Sequence, residues 1–136
     1  MKQILTATLL LTLTNSIMAY EIKTSITINA TPQQIWVKFT DFKSYPDWNP
    51  LMLKLEGDIK EGNSFFVDLG EMSFKPKVLS FKKEQQFIWK GKLLFPGLFD
   101  GKHQFIFTDN NDGTTTLTHS EEFKGILVLL LKKKLE

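Results

Sequence analysis

Residues 102–123, KHQFIFTDNNDGTTTLTHSEEF, decide how this chain folds. Asp109-Asn110-Asn111-Asp112-Gly113 gathers residues that tolerate left-handed backbone and bond their own main chain, so it reads as a hairpin turn. The flanking runs, Lys102–Thr108 and Thr114–Phe123, alternate as strands do. With Phe105 set opposite Leu117, His103 opposes His119 and Phe107 opposes Thr115. Alternate side chains of a strand share a face, which puts both histidines on the side carrying Phe105, Phe107, Leu117 and Phe123. Glu121, two residues beyond His119, joins them.

Upstream, Gln86–Leu93 and Ser73–Lys83 read as strands split at Glu84-Gln85, and Trp89 alternates with Phe87 so as to face inward. Ser64–Leu69 and Met52–Glu56 are further strand-like runs around a turn at Gly57–Gly62. Asp41–Pro50 contains Tyr45-Pro46 and Asn49-Pro50, which block a long regular element and leave a short helix or turn. Trp48 within it either plugs the core, the simpler reading, or forms a cavity mouth. Thr31-Pro32 pairs a hydroxyl cap with proline at the first helical position. Ile35, Trp36 and Phe39 follow at helical spacing, with Trp36 in the core. Glu21–Asn29 is a strand with Ile22, Ile26 and Ile28 on one face.

Downstream, the chain resumes as helix at Ile126. Ile126–Leu131 is apolar all round and should be buried on every side, with Lys132, Lys133 and Lys134 at the solvent end. From Ile126 to Glu136 only about 16 Å of helix fits, at 1.5 Å per residue. A spare apolar face on so short a helix suits a second copy of the chain, so the expectation is a monomer or a weak homodimer. Strand, helix, several strands and helix, joined by short turns, specify an α+β class with an antiparallel meander. Burying one face of that meander curls it around the last helix, and the curl leaves room for a pocket.

Composition narrows the function. The chain has 136 residues, 42% hydrophobic and 24% charged, which suits one globular domain. Twelve Phe and three Trp supply ample material for a core and a cavity lining. All 17 basic residues are Lys, and the absence of Arg argues against nucleic-acid recognition. With no Cys there are no disulfides, no thiolate zinc sites and no thiol nucleophile. Neither a Gly-rich phosphate loop nor a nucleophile elbow occurs. Lys2 followed by apolar Ile4–Leu13 and a cut after Ala19 reads as a signal peptide over residues 1–19. The domain is then residues 20–136, exported to the periplasm or secreted.

Several separated motifs resemble one superfamily. They are Ile26-Thr27-Ile28-Asn29-Ala30-Thr31-Pro32 with Ile35-Trp36, then Thr40-Asp41-Phe42-Lys43-Ser44-Tyr45-Pro46-Asp47-Trp48-Asn49-Pro50. Further along come Phe74-Lys75-Pro76-Lys77-Val78, Trp89-Lys90-Gly91, Gly101-Lys102-His103-Gln104-Phe105 and Thr118-His119-Ser120-Glu121-Glu122-Phe123-Lys124-Gly125. Together they are similar to the SRPBCC superfamily, the helix-grip group of START, Bet v 1-like and polyketide cyclase/dehydrase-like proteins. The resemblance implies a seven-stranded antiparallel sheet gripping a C-terminal helix, here shortened, with an apolar cavity between them. It also implies binding or transport of lipid-like or aromatic molecules, with cyclase or dehydratase activity in a minority.

The leading expectation is therefore a hydrophobic small-molecule binder without cofactor, its ligand met by Trp48, Phe74, Trp89, Phe95, Phe99, His103, Phe105, His119, Glu121 and Phe123. A cyclase or dehydratase using His103, His119 and Glu121 as acid/base groups is the alternative. Burial and proximity should then lower the histidine pKa values and raise that of Glu121. Two His and a Glu also suit zinc, but His-x-Glu on one strand is a weak ligand pattern and no metal is expected. Leu93-Leu94-Phe95-Pro96-Gly97-Leu98-Phe99 is a greasy loop with a turn at its centre. It reads as a lid beside the entrance, with membrane contact or docking to another protein as the alternative.

Overall fold

The computed structural model describes residues 19–93, 99–125 and 127–128. The expected signal peptide up to residue 18, the middle of the expected lid with Phe95, and most of the helix expected from Ile126 lie outside the described residues, as does the side chain of Phe99. No described helix is long and apolar enough to cross a membrane.

Eight strands are present among the described residues: β1 (Ala19–Ile28), β2 (Lys54–Glu56), β3 (Phe66–Asp68), β4 (Ser73–Phe74), β5 (Lys77–Lys82), β6 (Gln86–Leu93), β7 (Phe99–Asp109) and β8 (Thr115–Lys124). They form a five-stranded sheet in the order β1-β8-β7-β6-β5 and a three-stranded sheet in the order β2-β3-β4. Every paired strand is antiparallel. An antiparallel sheet with few short helices is the α+β class expected. The division into two hydrogen-bonded sheets differs from the single seven-stranded sheet expected. Proline has no N–H to give to a ladder, and the fully buried Pro76 interrupts the run from Ser73, so β4 and β5 join different sheets. An isolated bridge between Ser64 and Lys77 links the two.

Helix α1 (Pro32–Phe39) starts as its sequence dictates. Thr31 accepts from the Gln34 amide, and the Gln34 side chain returns to the Thr31 backbone N–H, a reciprocal capping box with Pro32 just inside. A 3-10 turn (Phe42–Ser44) leads into α2 (Tyr45–Trp48), the short helix expected between the prolines. Trp36 is buried against Phe107 and Phe81, with ring centroids 5.3 and 5.2 Å away. The core runs from there through Tyr45, Leu55, Phe65, Val67, Val78, Phe87 and Trp89. On β1, by contrast, Ile26 is 60% exposed and takes no part in that core.

The hairpin that organises the sheet has a five-residue loop, as expected, but it lies one residue further along the chain. The last ladder pair is Asp109 with Thr115, so Phe105 lies opposite His119, Phe107 opposite Leu117 and His103 opposite Glu121. His103 therefore does not oppose His119. The cause is the chemistry of the loop. Asp109 Oδ1 accepts from the Asn111 amide at 2.8 Å, and Asp112 Oδ1 accepts from the Thr114 amide at 2.9 Å and hydroxyl at 2.6 Å. Asn111 and Gly113 take left-handed backbone, at φ 59° and 86°. These bonds enclose Thr114 within the turn and move the register by two residues. An even shift leaves every side chain on the face the alternation assigned.

Candidate functional site

The inner face of the five-stranded sheet carries two adjoining rows of side chains. In one row Phe87 of β6, Phe105 of β7 and His119 of β8 are cross-strand neighbours. In the next, Trp89, His103 and Glu121 are. The pleat puts alternate residues on one side, and ring contacts tie each row together. Phe105 and His119 stack with centroids 4.4 Å apart and planes 3° apart. Trp89 and His103 stack at 3.8 Å and 13°.

Above the first row lies a half-open cavity of about 510 Å3. Helix α1 contributes Ile35, Lys38 and Phe39, α2 contributes Tyr45 and Trp48, Asn49 and Met52 follow, and the sheet supplies Phe87, Phe105 and Leu117. Ile35, Lys38 and Phe39 are spaced three and four residues apart, so one helix face forms this wall. Trp48 is 45% exposed and packs edge-on against Tyr45 at 4.7 Å, with its indole N–H directed to Ser44 Oγ at 3.3 Å. It stands at the mouth and is not a core plug, because a four-residue helix between prolines holds it too far out to be covered. Tyr45 is buried and donates its hydroxyl to the Phe39 carbonyl at 2.6 Å.

Burial pushes the Tyr45 phenol well above its ordinary value of 10.0. The unfolded chain then loses this proton first, so stability is intact below pH 10 and falls as pH rises further. Urea midpoints of the wild type should decline above pH 10 more steeply than those of Tyr45→Phe. Equal slopes would mean that the phenol ionises freely in the fold.

At the other end, His103 Nδ1 and His119 Nε2 lie 3.3 and 3.4 Å from the same Glu121 oxygen. Glu121 is held below the usual carboxylate range, chiefly by the hydrogen bond from His103, which outweighs burial. The rise expected from burial does not occur, since a carboxylate that accepts a hydrogen bond keeps its charge. His119 is lowered, mainly by burial, and this overrides the attraction of Glu121 at contact distance. The contact is thus a carboxylate beside a neutral imidazole. His119 Nε2 is buried and makes no hydrogen bond, because proximity to the carboxylate comes without donor alignment.

The residues singled out in the sequence divide between these two places. Trp48 and Phe105 line the cavity. Phe74, Trp89, His103, His119, Glu121 and Phe123 gather beside it. Phe74 lies 6.1 Å from Trp89, and Phe123 packs edge-on to His103 at 6.3 Å. The paired glycines Gly91 and Gly101 make space for this, since a Cβ on either would stand 3.3–3.4 Å from the Phe74 or Phe123 ring. Sequence reading missed Phe39, Tyr45, Met52, Phe87 and Leu117 as cavity wall. The helical spacing of Ile35 and Phe39 was the available signal, but it says only that a face is apolar.

A family model described as polyketide cyclase/dehydrase and lipid transport matches residues 19–135. No curated protein sequence matches the chain. Among solved structures it is similar to norcoclaurine synthase from Thalictrum flavum in complex with dopamine and hydroxybenzaldehyde. That match has a TM-score of 0.68 and 16% identity over 87% of this chain and 78% of that one. A START superfamily protein from Mycobacterium smegmatis matches with a TM-score of 0.64 and 15% identity, over 83% of this chain and 84% of that one.

Proposed function

The chain belongs to the polyketide cyclase/dehydrase and lipid transport family, and from that premise we propose that it binds a flat aromatic or lipid-like molecule in the cavity beneath α1 and α2. The observation that carries this reading is the lining itself: eight of the ten residues around about 510 Å3 are apolar or aromatic, with only Lys38 and Asn49 offering other chemistry. A volume of that size falls in the range of small-molecule sites, where apolar walls supply affinity and a few polar groups set orientation. Lys38 favours a ligand whose acidic end stays at the mouth. The same fold in norcoclaurine synthase accommodates dopamine and hydroxybenzaldehyde, ligands of the size that such walls suit. Phe74, Trp89 and Phe123 support the inner end of the site. The leader pattern of residues 1–19 supports work outside the cytoplasm, and cell fractionation that finds the chain inside would remove that part.

Native mass spectrometry of the chain purified without detergent tests the binding. The expected result is a discrete added mass that leaves on denaturation, or stoichiometric uptake when an apolar fluorescent probe such as 1-anilinonaphthalene-8-sulfonate is offered. A folded chain that carries no adduct and takes up no probe overturns the reading.

A further inference from the structure

His103, His119 and Glu121 place one donor atom each within 4.8 Å of one another, on neighbouring strands of a single sheet face. We propose that these three side chains form a binding site for one divalent first-row transition-metal ion, beside the ligand cavity and separate from its apolar lining.

The separations carry the argument. Nitrogen and oxygen donors sit about 2.0–2.2 Å from a tetrahedral zinc ion, so two donors of one ion stand about 3.3–3.4 Å apart. His103 Nδ1 and His119 Nε2 lie 3.3 and 3.4 Å from Glu121 Oε1. Two of the three edges of a coordination face therefore already have their final length, and the third lies within 4.8 Å. A second, independent observation is the His119 Nε2 atom, which is buried without a hydrogen-bond partner. A buried nitrogen of that kind costs about 1–3 kcal/mol when left unsatisfied, a cost that coordination removes.

The rings are also held in place. The Trp89 face fixes the plane of His103 at 3.8 Å, and Phe105 fixes that of His119 at 4.4 Å. Ligands whose rotamers are set by packing lose little entropy on binding. Imidazole with carboxylate suits zinc, ferrous iron or their neighbours, and disfavours calcium and magnesium. Three protein donors leave a further position to water or to a donor atom of a molecule in the adjoining cavity. The expectation of no metal rested on the weakness of His-x-Glu along one strand; the site instead spans β7 and β8.

The chain has two histidines and no cysteine, so imidazole-dependent binding has one place to occur. Untagged, chelator-treated full-length chain titrated with zinc by calorimetry should bind one ion. Cobalt(II) should give an intense visible band with quenching of tryptophan fluorescence through Trp89. Glu121→Gln and His119→Gln should each weaken zinc binding by at least about 100-fold while keeping the wild-type near-ultraviolet circular dichroism. Failure of the folded wild type to bind zinc in the calorimeter, together with no cobalt(II)-dependent quenching, overturns the proposal without recourse to a variant. So does zinc binding of equal strength in the wild type and in both folded variants. Neither result bears on uptake of apolar ligands, which is read separately by mass spectrometry.

Discussion

Truncating Phe87 to alanine is expected to lower the unfolding free energy by about 3–5 kcal/mol, the cost of deleting a buried aromatic ring and leaving a cavity. Phe87 is 2% exposed. Its ring centroid lies 5.4 Å from Phe81, 5.9 Å from Phe65, 6.1 Å from Phe42, 6.2 Å from Phe39 and 6.4 Å from Phe105. These partners come from the α1 end, the turn after it, the residues leading into β3, and strands β5 and β7, so no single element can collapse into the space. A domain of this kind has about 5–15 kcal/mol in all, so the variant gives up a large share of its stability. Urea unfolding followed by far-ultraviolet circular dichroism reads the effect. Val37→Ala is the matched control, because Val37 is 67% exposed and should move stability by no more than about 0.5 kcal/mol. A Phe87→Ala loss as small as the control's would mean that the aromatic cluster relaxes freely.

Filling the cavity is the second large effect. Leu117→Trp puts an indole where a half-buried isobutyl group forms part of the wall, on β8 between Ile26 and Phe107. Affinity for an apolar probe should fall by at least tenfold, about 1.4 kcal/mol. Stability should change by no more than about 1–3 kcal/mol, the usual range for overpacking, and the half-open cavity gives the indole somewhere to go. Fluorescence titration with the probe, beside a denaturation curve, separates the two quantities. Undiminished affinity in a folded variant would place binding elsewhere on the molecule.

Much of the fold was legible because it depends on neighbours in sequence. Thr31-Pro32 with Gln34 specifies the start of α1 through bonds that close within one turn. Alternation put Phe87, Trp89, Phe105 and both histidines on one face, since strand period is a property of a single strand. The run from Ser73 to Lys83 was read as one strand because its apolar pattern continues through Pro76. The structure shows that missing N–H to be the point where two sheets part. The pairing of His103 was misread for a different reason. Its partner is set by which five residues the turn encloses, and that depends on which hydroxyls and amides Asp109 and Asp112 capture.

The sequence by itself determined the class, the antiparallel pairing and the face on which each chemically active side chain lies. All three follow from local backbone geometry and survive a slip of two residues. Only the tertiary structure decided that Trp48 stands at a mouth, that α1, α2 and three strands enclose one cavity, and that His103 and His119 meet a single oxygen of Glu121. Those facts are distances between segments remote in the chain. They come from packing and register summed over the whole sheet, where a change of one residue in a loop, or one rotamer, moves atoms by more than the length of a bond.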